Sequence, residues 1–138
     1  MSWASPPVQS TGDIISASTW NSNFSWLYDT GWLGFGATLA YGNSWTDVQG
    51  PVAGLAGYRR IGNIVRFGGQ ITGGTSGTSP FTMASGYRPT VYARMTGVTM
   101  STATDVAMVQ VASTGIVLIT WTGSGTGICL DDMTYTLD

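Results

Sequence analysis

Glycine-rich turns divide the carboxy-terminal part of the chain about every ten residues, and this spacing constrains the fold more than any other feature. Residues 58–138 carry apolar runs of strand length, namely IVRF, VYARMTGV, DVAMVQV and GIVLITW, separated by turns such as GGTSG, STG and GSGTG. Short apolar runs bounded by glycine clusters are typical of antiparallel strands. The region is therefore predicted to be all-β, and an antiparallel β-sandwich is the expected architecture.

A β-hairpin is predicted at the start of this region. The segment YRRIGNIVRFGGQIT, residues 58–72, places Gly62 and Asn63 between two apolar runs, which is a strong signal for a two-residue turn. After the turn, Val65, Phe67 and Ile71 occupy alternate positions, as expected of a strand with one buried face. A second alternation closes the chain, with inward positions at Met133, Tyr135 and Leu137.

Residues 1–30 are predicted to form an extended arm followed by one short helix. Ser18 or Thr19 offers an N-cap, and Gly31 offers a C-terminal stop. One face of this helix is apolar and mostly aromatic, with Trp20, Phe24, Leu27 and Tyr28 at helical spacing. A helix of about ten residues is too short to be stable alone, so this face is expected to pack against other protein.

The segment between these regions, residues 31–57, is rich in glycine and aromatic residues and has no sustained period. Short strands and loops are expected there, with Trp45, Val48 and Val52 packing inward. The predicted organisation is thus an arm and helix at 1–30, a connecting segment at 31–57 and a β-sandwich head at 58–138.

The composition excludes most catalytic chemistry. The chain has neither histidine nor lysine, so the bases of the common nucleophilic and acid-base mechanisms are missing. Asp131 and Asp132 are adjacent and would point to opposite faces of a strand, so they cannot flank one bond. An approach of Asp47 or Asp105 to either one stays open, although aspartate bonding backbone amides at turns is the favoured interpretation. We expect no enzymatic activity and no catalytic residue.

Binding of cofactors, metals, nucleic acid and membranes is also not expected. The net charge is -2 without any basic run, which gives no electrostatic basis for binding nucleic acid or anionic lipid. The single cysteine, Cys129, precludes an internal disulfide and a multi-cysteine zinc site. The glycine-rich loops lack the lysine of a phosphate-binding loop, and no spaced acidic motif predicts a calcium site.

Targeting signals are not evident either. No apolar run approaches the roughly 20 residues of a membrane span. The amino terminus lacks the basic and apolar regions of a secretory signal, so synthesis in the cytoplasm without export is expected.

The tryptophans and the loops are the candidate binding elements. Tryptophan can stack on sugars or pack in a core, and packing is favoured here for Trp20, Trp26, Trp32, Trp45 and Trp121. If there is a ligand face, the loops GGTSGTS and GSGTG are expected to form it, because loops at the end of a sandwich vary without disturbing the core. The candidate ligand residues are Thr75, Ser76, Thr78, Ser124 and Thr126.

The arginines are interpreted as structural. Arg59 and Arg60 are neighbours and must point to opposite faces of a strand, so only one of them shares a face with Arg66. A guanidinium carries several donors and is suited to holding an aspartate or backbone carbonyls in place. Arg59 and Arg88 are the expected anchors.

Four segments together resemble the carboxy-terminal head modules of bacteriophage tail fibres and receptor-binding proteins. They are the hairpin, with Tyr58, Arg59, Gly62, Asn63 and Val65, and the segments MASGYRP (83–89), GIV (115–117) and CLDDMTY (129–135). Asp132 stands where that pattern usually has glycine. Upstream, TGDIISASTWNSNF (11–24) resembles a segment near the start of short phage virion proteins. The resemblance covers residues 11–24 and 45–138.

This resemblance implies a structural protein of a virion: a homotrimeric fibre or spike with its β-sandwich heads around a threefold axis. The amino-terminal arm and helix would attach to other virion proteins, and the distal β-domain would contact the host cell surface, with a surface glycan as one candidate partner. Two alternatives stay open: a capsid decoration protein without a ligand site, and a monomeric carbohydrate-binding module.

Overall fold

The computed structural model describes residues 29–100 and 105–138, and in these ranges the chain is mostly β. In chain order the elements are β1 (Leu33–Gly34), α1 (Phe35–Thr38), β2 (Thr46–Gln49), β3 (Gly57–Ile61), β4 (Ile64–Gly68), β5 (Gln70–Thr72), a 3-10 turn (Ser85–Tyr87), β6 (Ala93–Val98), β7 (Val106–Val111), β8 (Val117–Trp121), β9 (Gly127–Cys129) and β10 (Thr134–Thr136). The predicted amino-terminal helix, with Trp20, Phe24, Leu27 and Tyr28, lies outside the described residues.

The strands form three antiparallel sheets, which confirms the predicted fold class. The first sheet has the order β1-β3-β4-β10, the second β2-β5-β9 and the third β6-β7-β8. The predicted hairpin joins β3 to β4, and Gly62 in its turn has a φ of 57°. Isolated bridges connect the third sheet to its surroundings, between Thr99 and Ile128 and between Thr78 and Ile119.

One continuous stretch of chain serves two of these sheets. β4 belongs to the first sheet and β5 to the second, and the change takes place at Gly68 and Gly69. Gly69 has a φ of 95°, a conformation that residues with a side chain rarely adopt. Its N–H donates to Asp131 Oδ1 at 2.7 Å, and its carbonyl accepts from the N–H of Leu130 at 2.8 Å. The bend therefore has a defined partner for each of its polar backbone groups.

Aromatic side chains fill the space beneath the first sheet. The Phe35 ring stacks on Phe81 with a centroid distance of 4.2 Å and on Tyr58 at 5.4 Å. It also meets Phe67 edge-on at 5.3 Å. Pairs of this kind stabilise a core by about 1 kcal/mol each beyond the area that they bury. Phe35 comes from residues 31–57, so this segment contributes to the same core as the strands that follow it; the predicted division at 57/58 stays a prediction.

The inward positions predicted along the strands are largely confirmed. Val65, Phe67 and Ile71 are fully buried, and Met133 and Tyr135 are buried in the closing strand. Trp45 is buried as predicted, but the prediction for Val48 is wrong, since this side chain is 43% exposed.

Val48 faces outward because a polar residue, Asp47, occupies the inward side of β2. Asp47 Oδ1 accepts from the Ala56 N–H at 3.1 Å and from the Tyr41 hydroxyl at 2.7 Å. Because side chains alternate along a strand, the inward position of Asp47 turns Val48 outward.

A substitution at the bend tests its role. Gly69→Ala would place a Cβ 2.8 Å from the Cα atoms of Ala56 and Gly50, in addition to the positive φ. Gly77→Ala is the matched control, because Gly77 has a φ of 83° and nothing within 4 Å of its added Cβ. We expect a loss of roughly 1 kcal/mol in unfolding free energy for Gly77→Ala and about 3 kcal/mol or more for Gly69→Ala. Urea unfolding at one fixed protein concentration measures both, and equal losses would contradict the proposed crowding.

Candidate functional site

The two loops predicted to form a ligand face lie side by side. Thr72, at the end of β5, donates its hydroxyl to the Thr126 carbonyl at 2.8 Å. The Ser76 hydroxyl donates to the Trp121 carbonyl and accepts from the Trp121 N–H, both at 2.8 Å. The first loop (residues 73–79) is thus bonded to the end of β8, and the second loop (residues 123–126) is bonded to the end of β5.

Several of the candidate hydroxyls in these loops are engaged within the protein. Thr78 Oγ1 accepts from the Trp45 indole N–H at 3.0 Å and donates to the Thr75 carbonyl at 2.6 Å. Trp45 in turn meets Trp121 edge-on at 5.9 Å. Ser76 and Thr78 therefore shape the loop, while Thr75 and Ser124 are exposed at its surface. A ligand-binding role for these residues stays a prediction.

The arginines of the first sheet are paired with acidic side chains or carbonyls. Arg59 lies opposite Arg66 in the register of β3 and β4, so these two share the outer face. Arg59 forms an ion pair with Asp29, and Arg66 forms one with Asp132. Neither uses Asp131, whose carboxylate instead accepts from a backbone amide.

The other two arginines of this region contact backbone carbonyls. Arg60 points to the inner side and donates to the carbonyls of Gly62 and Gly86, each at 2.8 Å. Arg88 Nε donates to the Met83 carbonyl at 2.8 Å, close to Gly115. Such contacts are what a structural anchor makes, and the anchoring roles of Arg59 and Arg88 remain predictions that substitution can test.

A groove that sequence reasoning missed lies on the outer side of the bend at Gly69. It has a volume of about 610 Å³. We call it the Trp32 groove; its lining includes Trp32, Gln49, Pro51, Arg66, Gly68, Gly69, Asp131 and Asp132. These residues come from four separate parts of the chain. The adjacent glycines and the Asp-Asp pair were the local signals that could have indicated it.

The Trp32 groove combines an aromatic wall with charged side chains at its rim. A Cβ on Gly68 would lie 2.9 Å from Trp32 Cη2 and 3.2 Å from Pro51 Cγ, so both rings rest directly on this glycine. The side chains of Arg66 and Asp132 at the rim are 48% and 80% exposed. Asp132 has a φ of 63°, a backbone conformation that glycine favours and aspartate tolerates, which agrees with its place in a pattern that usually has glycine.

Three ionisable side chains, Asp29, Tyr135 and Cys129, have pKa values shifted by their surroundings. The Arg59 guanidinium and the Gly31 N–H, both bonded to the Asp29 carboxylate, hold its pKa down at about 2. Burial raises the pKa of Tyr135, whose hydroxyl donates to the Tyr87 carbonyl at 2.6 Å. Burial also raises the pKa of Cys129, which favours the neutral thiol.

The described residues show neither a metal-ligand cluster nor a helix that could span a membrane. Across residues 29–100 and 105–138, no group of three or more His, Cys, Asp or Glu side chains is placed to hold a metal ion. Within the described part of the chain there is no helix with the length and apolar character of a membrane span.

The outer face of the third sheet carries several exposed apolar side chains. Val98 lies opposite Val106, and Met108 lies between Thr96 and Thr120. The exposed fractions are 46% for Val98, 58% for Val106 and 39% for Met108. Ile116, which precedes β8, adds a side chain that is 48% exposed. We call this surface the β6–β8 face; the cross-strand row Arg94–Gln110–Leu118 lies between Met108 and Ile116. Several exposed apolar side chains on one sheet face are typical of an interaction site.

Comparisons with known proteins show the fold. No protein-family model matches the chain, and no curated protein matches it in sequence. Among solved structures it is similar to the receptor binding protein (gp15) of Listeria phage PSA, with a TM-score of 0.59 and 17% sequence identity. The match covers 86% of this chain and 71% of the phage protein. The chain therefore shares its fold with a phage receptor-binding protein.

The Asp29–Arg59 pair gives a prediction about pH. The pKa of Asp29 is lowered from 3.8 to about 2, so its contribution to stability is fully present above pH 3.8 and is lost as the pH falls through about 2. A double-mutant cycle with Asp29→Asn, Arg59→Gln and both together is expected to show a coupling in unfolding free energy that decreases across this range. A coupling that is absent at neutral pH, or that stays constant on acidification, would contradict the assigned pair.

Proposed function

We propose that the chain is a structural protein of a bacteriophage virion, a homotrimer whose distal β-domain contacts the host cell surface. The observation that carries this proposal is the fold shared with a phage receptor-binding protein over 86% of the chain. The sequence resemblance to tail-fibre head modules, carried by the hairpin, the MASGYRP segment and the closing strand, points to the same class.

Self-association is supported by the β6–β8 face. Its side chains are Val98, Val106, Met108, Ile116 and Leu118 with two threonines and two longer polar residues, Arg94 and Gln110. A monomer rarely leaves so many apolar side chains of one sheet face in water. Subunits arranged around a threefold axis would bury this face against a second copy of the chain. The low proportion of charged residues, 9%, suits a chain that covers much of its surface with protein.

The hydrogen bonds and ion pairs of four aspartates support a structural role over a catalytic one. Asp47 and Asp131 accept hydrogen bonds from backbone amides, and Asp29 and Asp132 pair with arginines. Turnover of a surface polysaccharide, lost in Asp131→Asn or Asp132→Asn, would overturn this part of the proposal. The arm and helix at 1–30 are proposed to attach the protein to other virion proteins, as the resemblance implies.

Contact with the host is tested by competition. Purified protein incubated with host cells is expected to bind them and to reduce the adsorption of the phage that encodes it, because both use the same receptors. Adsorption is measured as the fraction of infectious particles left in the supernatant, with heat-unfolded protein as the control. A folded protein that is present on particles but neither binds cells nor lowers adsorption would contradict host contact and favour the decoration protein.

The proposed interface is tested by the mass in solution. The wild-type protein is expected to have the mass of three chains in light scattering on a sizing column, and Met108→Asp is expected to dissociate it, since a buried unpaired charge costs several kcal/mol. Val48→Asp is the matched control, because Val48 is 43% exposed on β2, away from the β6–β8 face. A monomeric wild type would contradict the trimer. A trimeric Met108→Asp would place the interface elsewhere.

A further inference from the structure

We propose that the Trp32 groove binds a neutral pyranose sugar, with one face of the sugar on Trp32 and its hydroxyls toward the rim. This inference deepens the proposed contact with the host surface and rests on it for the biological source of the sugar. The binding itself is a property of the groove, and it can be tested on the isolated protein.

The wall of the groove suits the apolar face of a sugar. Trp32 is half-buried, so its ring is held in place while part of it faces the groove. The ring rests on Gly68, and the Pro51 ring lies next to it over the same side of this glycine. A rigid aromatic surface loses little conformational entropy when a ligand stacks on it. The C–H groups of one pyranose face can therefore pack on the ring without rearrangement of the fold.

The rim supplies the polar groups that hydroxyls need. Asp131, Asp132 and Gln49 offer oxygen acceptors, and Arg66 and Gln49 offer N–H donors. Asp131 already accepts from the Gly69 N–H and Asp132 pairs with Arg66, so both carboxylates are oriented before a ligand arrives. A carboxylate has room for about four hydrogen bonds, which leaves acceptor capacity for adjacent hydroxyls.

The size and charge of the groove decide which sugars it would take. Its volume of about 610 Å³ lies within the range of small-molecule sites, roughly 300 to 1,000 Å³. Among its charged side chains, one arginine and two aspartates give a net charge of -1. This balance disfavours phosphate or carboxylate groups and favours neutral sugars.

The direct test is a titration of the full-length protein followed by its assigned backbone amide NMR signals, those of Gly68 and Gly69 in the groove among them. The indole N–H of Trp32, which Trp32→Phe assigns, is followed in the proteins that retain this residue. The probes are the methyl glycosides of glucose, galactose, rhamnose, N-acetylglucosamine and N-acetylgalactosamine, with glycerol 3-phosphate as the anionic probe. At least one glycoside is expected to give a saturable shift with a Kd on the order of 1 mM, as for weak single-sugar contacts. Glycerol 3-phosphate is expected to bind more weakly.

Two substitutions separate the groove from the rest of the fold. Trp32→Ala is expected to weaken glycoside binding at least tenfold, whereas Tyr92→Ala, at an aromatic residue that is 62% exposed in a different cavity, is expected to leave it unchanged. Asp132→Asn keeps a residue type that tolerates a positive φ, and it frees Arg66 from its partner. It is expected to weaken glycoside binding several-fold and to strengthen binding of glycerol 3-phosphate.

The outcomes distinguish this proposal from the proposed function. No saturable shift with any glycoside, or binding unaffected by both Trp32→Ala and Asp132→Asn, would overturn the sugar site. Shifts confined to residues 73–79 and 123–126 would also overturn it and would support the loops instead. Glycoside binding by a protein that does not attach to host cells would uphold the groove and contradict the host-contact role.

Discussion

The left-handed backbone of Gly69 is the constraint on which the rest of the structure depends. With its N–H on Asp131 and its carbonyl on Leu130, the strand that starts in the β3–β4 hairpin can leave the first sheet and enter the second. A side chain at this position would meet Ala56 and Gly50. The neighbouring Gly68 gives Trp32 and Pro51 a surface to rest on. The same pair of glycines thus lets the chain pass from β4 in the first sheet to β5 in the second and leaves the Trp32 groove open beside it.

The β6–β8 face and the Trp32 groove differ in chemistry and suit different partners. The β6–β8 face is apolar and suits a second copy of the chain, whereas the Trp32 groove is rimmed by charged and amide side chains and suits a small hydrophilic ligand. The Trp32 groove lies at Gly68 and Gly69, where the chain passes from the first sheet to the second. The β6–β8 face belongs to the third sheet. Association through one surface would therefore be compatible with ligand binding at the other.

Local patterns predicted the strands well, because alternation and turn residues act within a few positions. The hairpin at Gly62 and the buried positions of Val65, Phe67 and Tyr135 follow from such patterns. The prediction that Val48 is buried is wrong because Asp47 turns inward and accepts hydrogen bonds from Tyr41 and Ala56. These contacts orient β2, and they leave no periodic pattern in the sequence.

The Trp32 groove could not be predicted from local patterns, since its wall, floor and rim come from separate segments. The sequence predicts that Trp32 packs against other residues. Its ring does rest on Gly68, and it also lines the groove. The loops at 73–79 and 123–126 adjoin the ends of β8 and β5, and their role as a ligand face stays a prediction. The hydroxyls of Ser76 and Thr78 form hydrogen bonds within the protein, to Trp121 and Trp45. Local sequence does not reveal such long-range partners.

The position of the protein on the phage particle distinguishes a host-contacting protein from a capsid decoration protein. Purified phage particles are labelled with gold-conjugated antibody against residues 58–138 and viewed by electron microscopy. A protein that contacts the host is expected to place gold at the host-facing end of the tail or on its fibres. Gold distributed evenly over the capsid, or particles without any label, would contradict host contact.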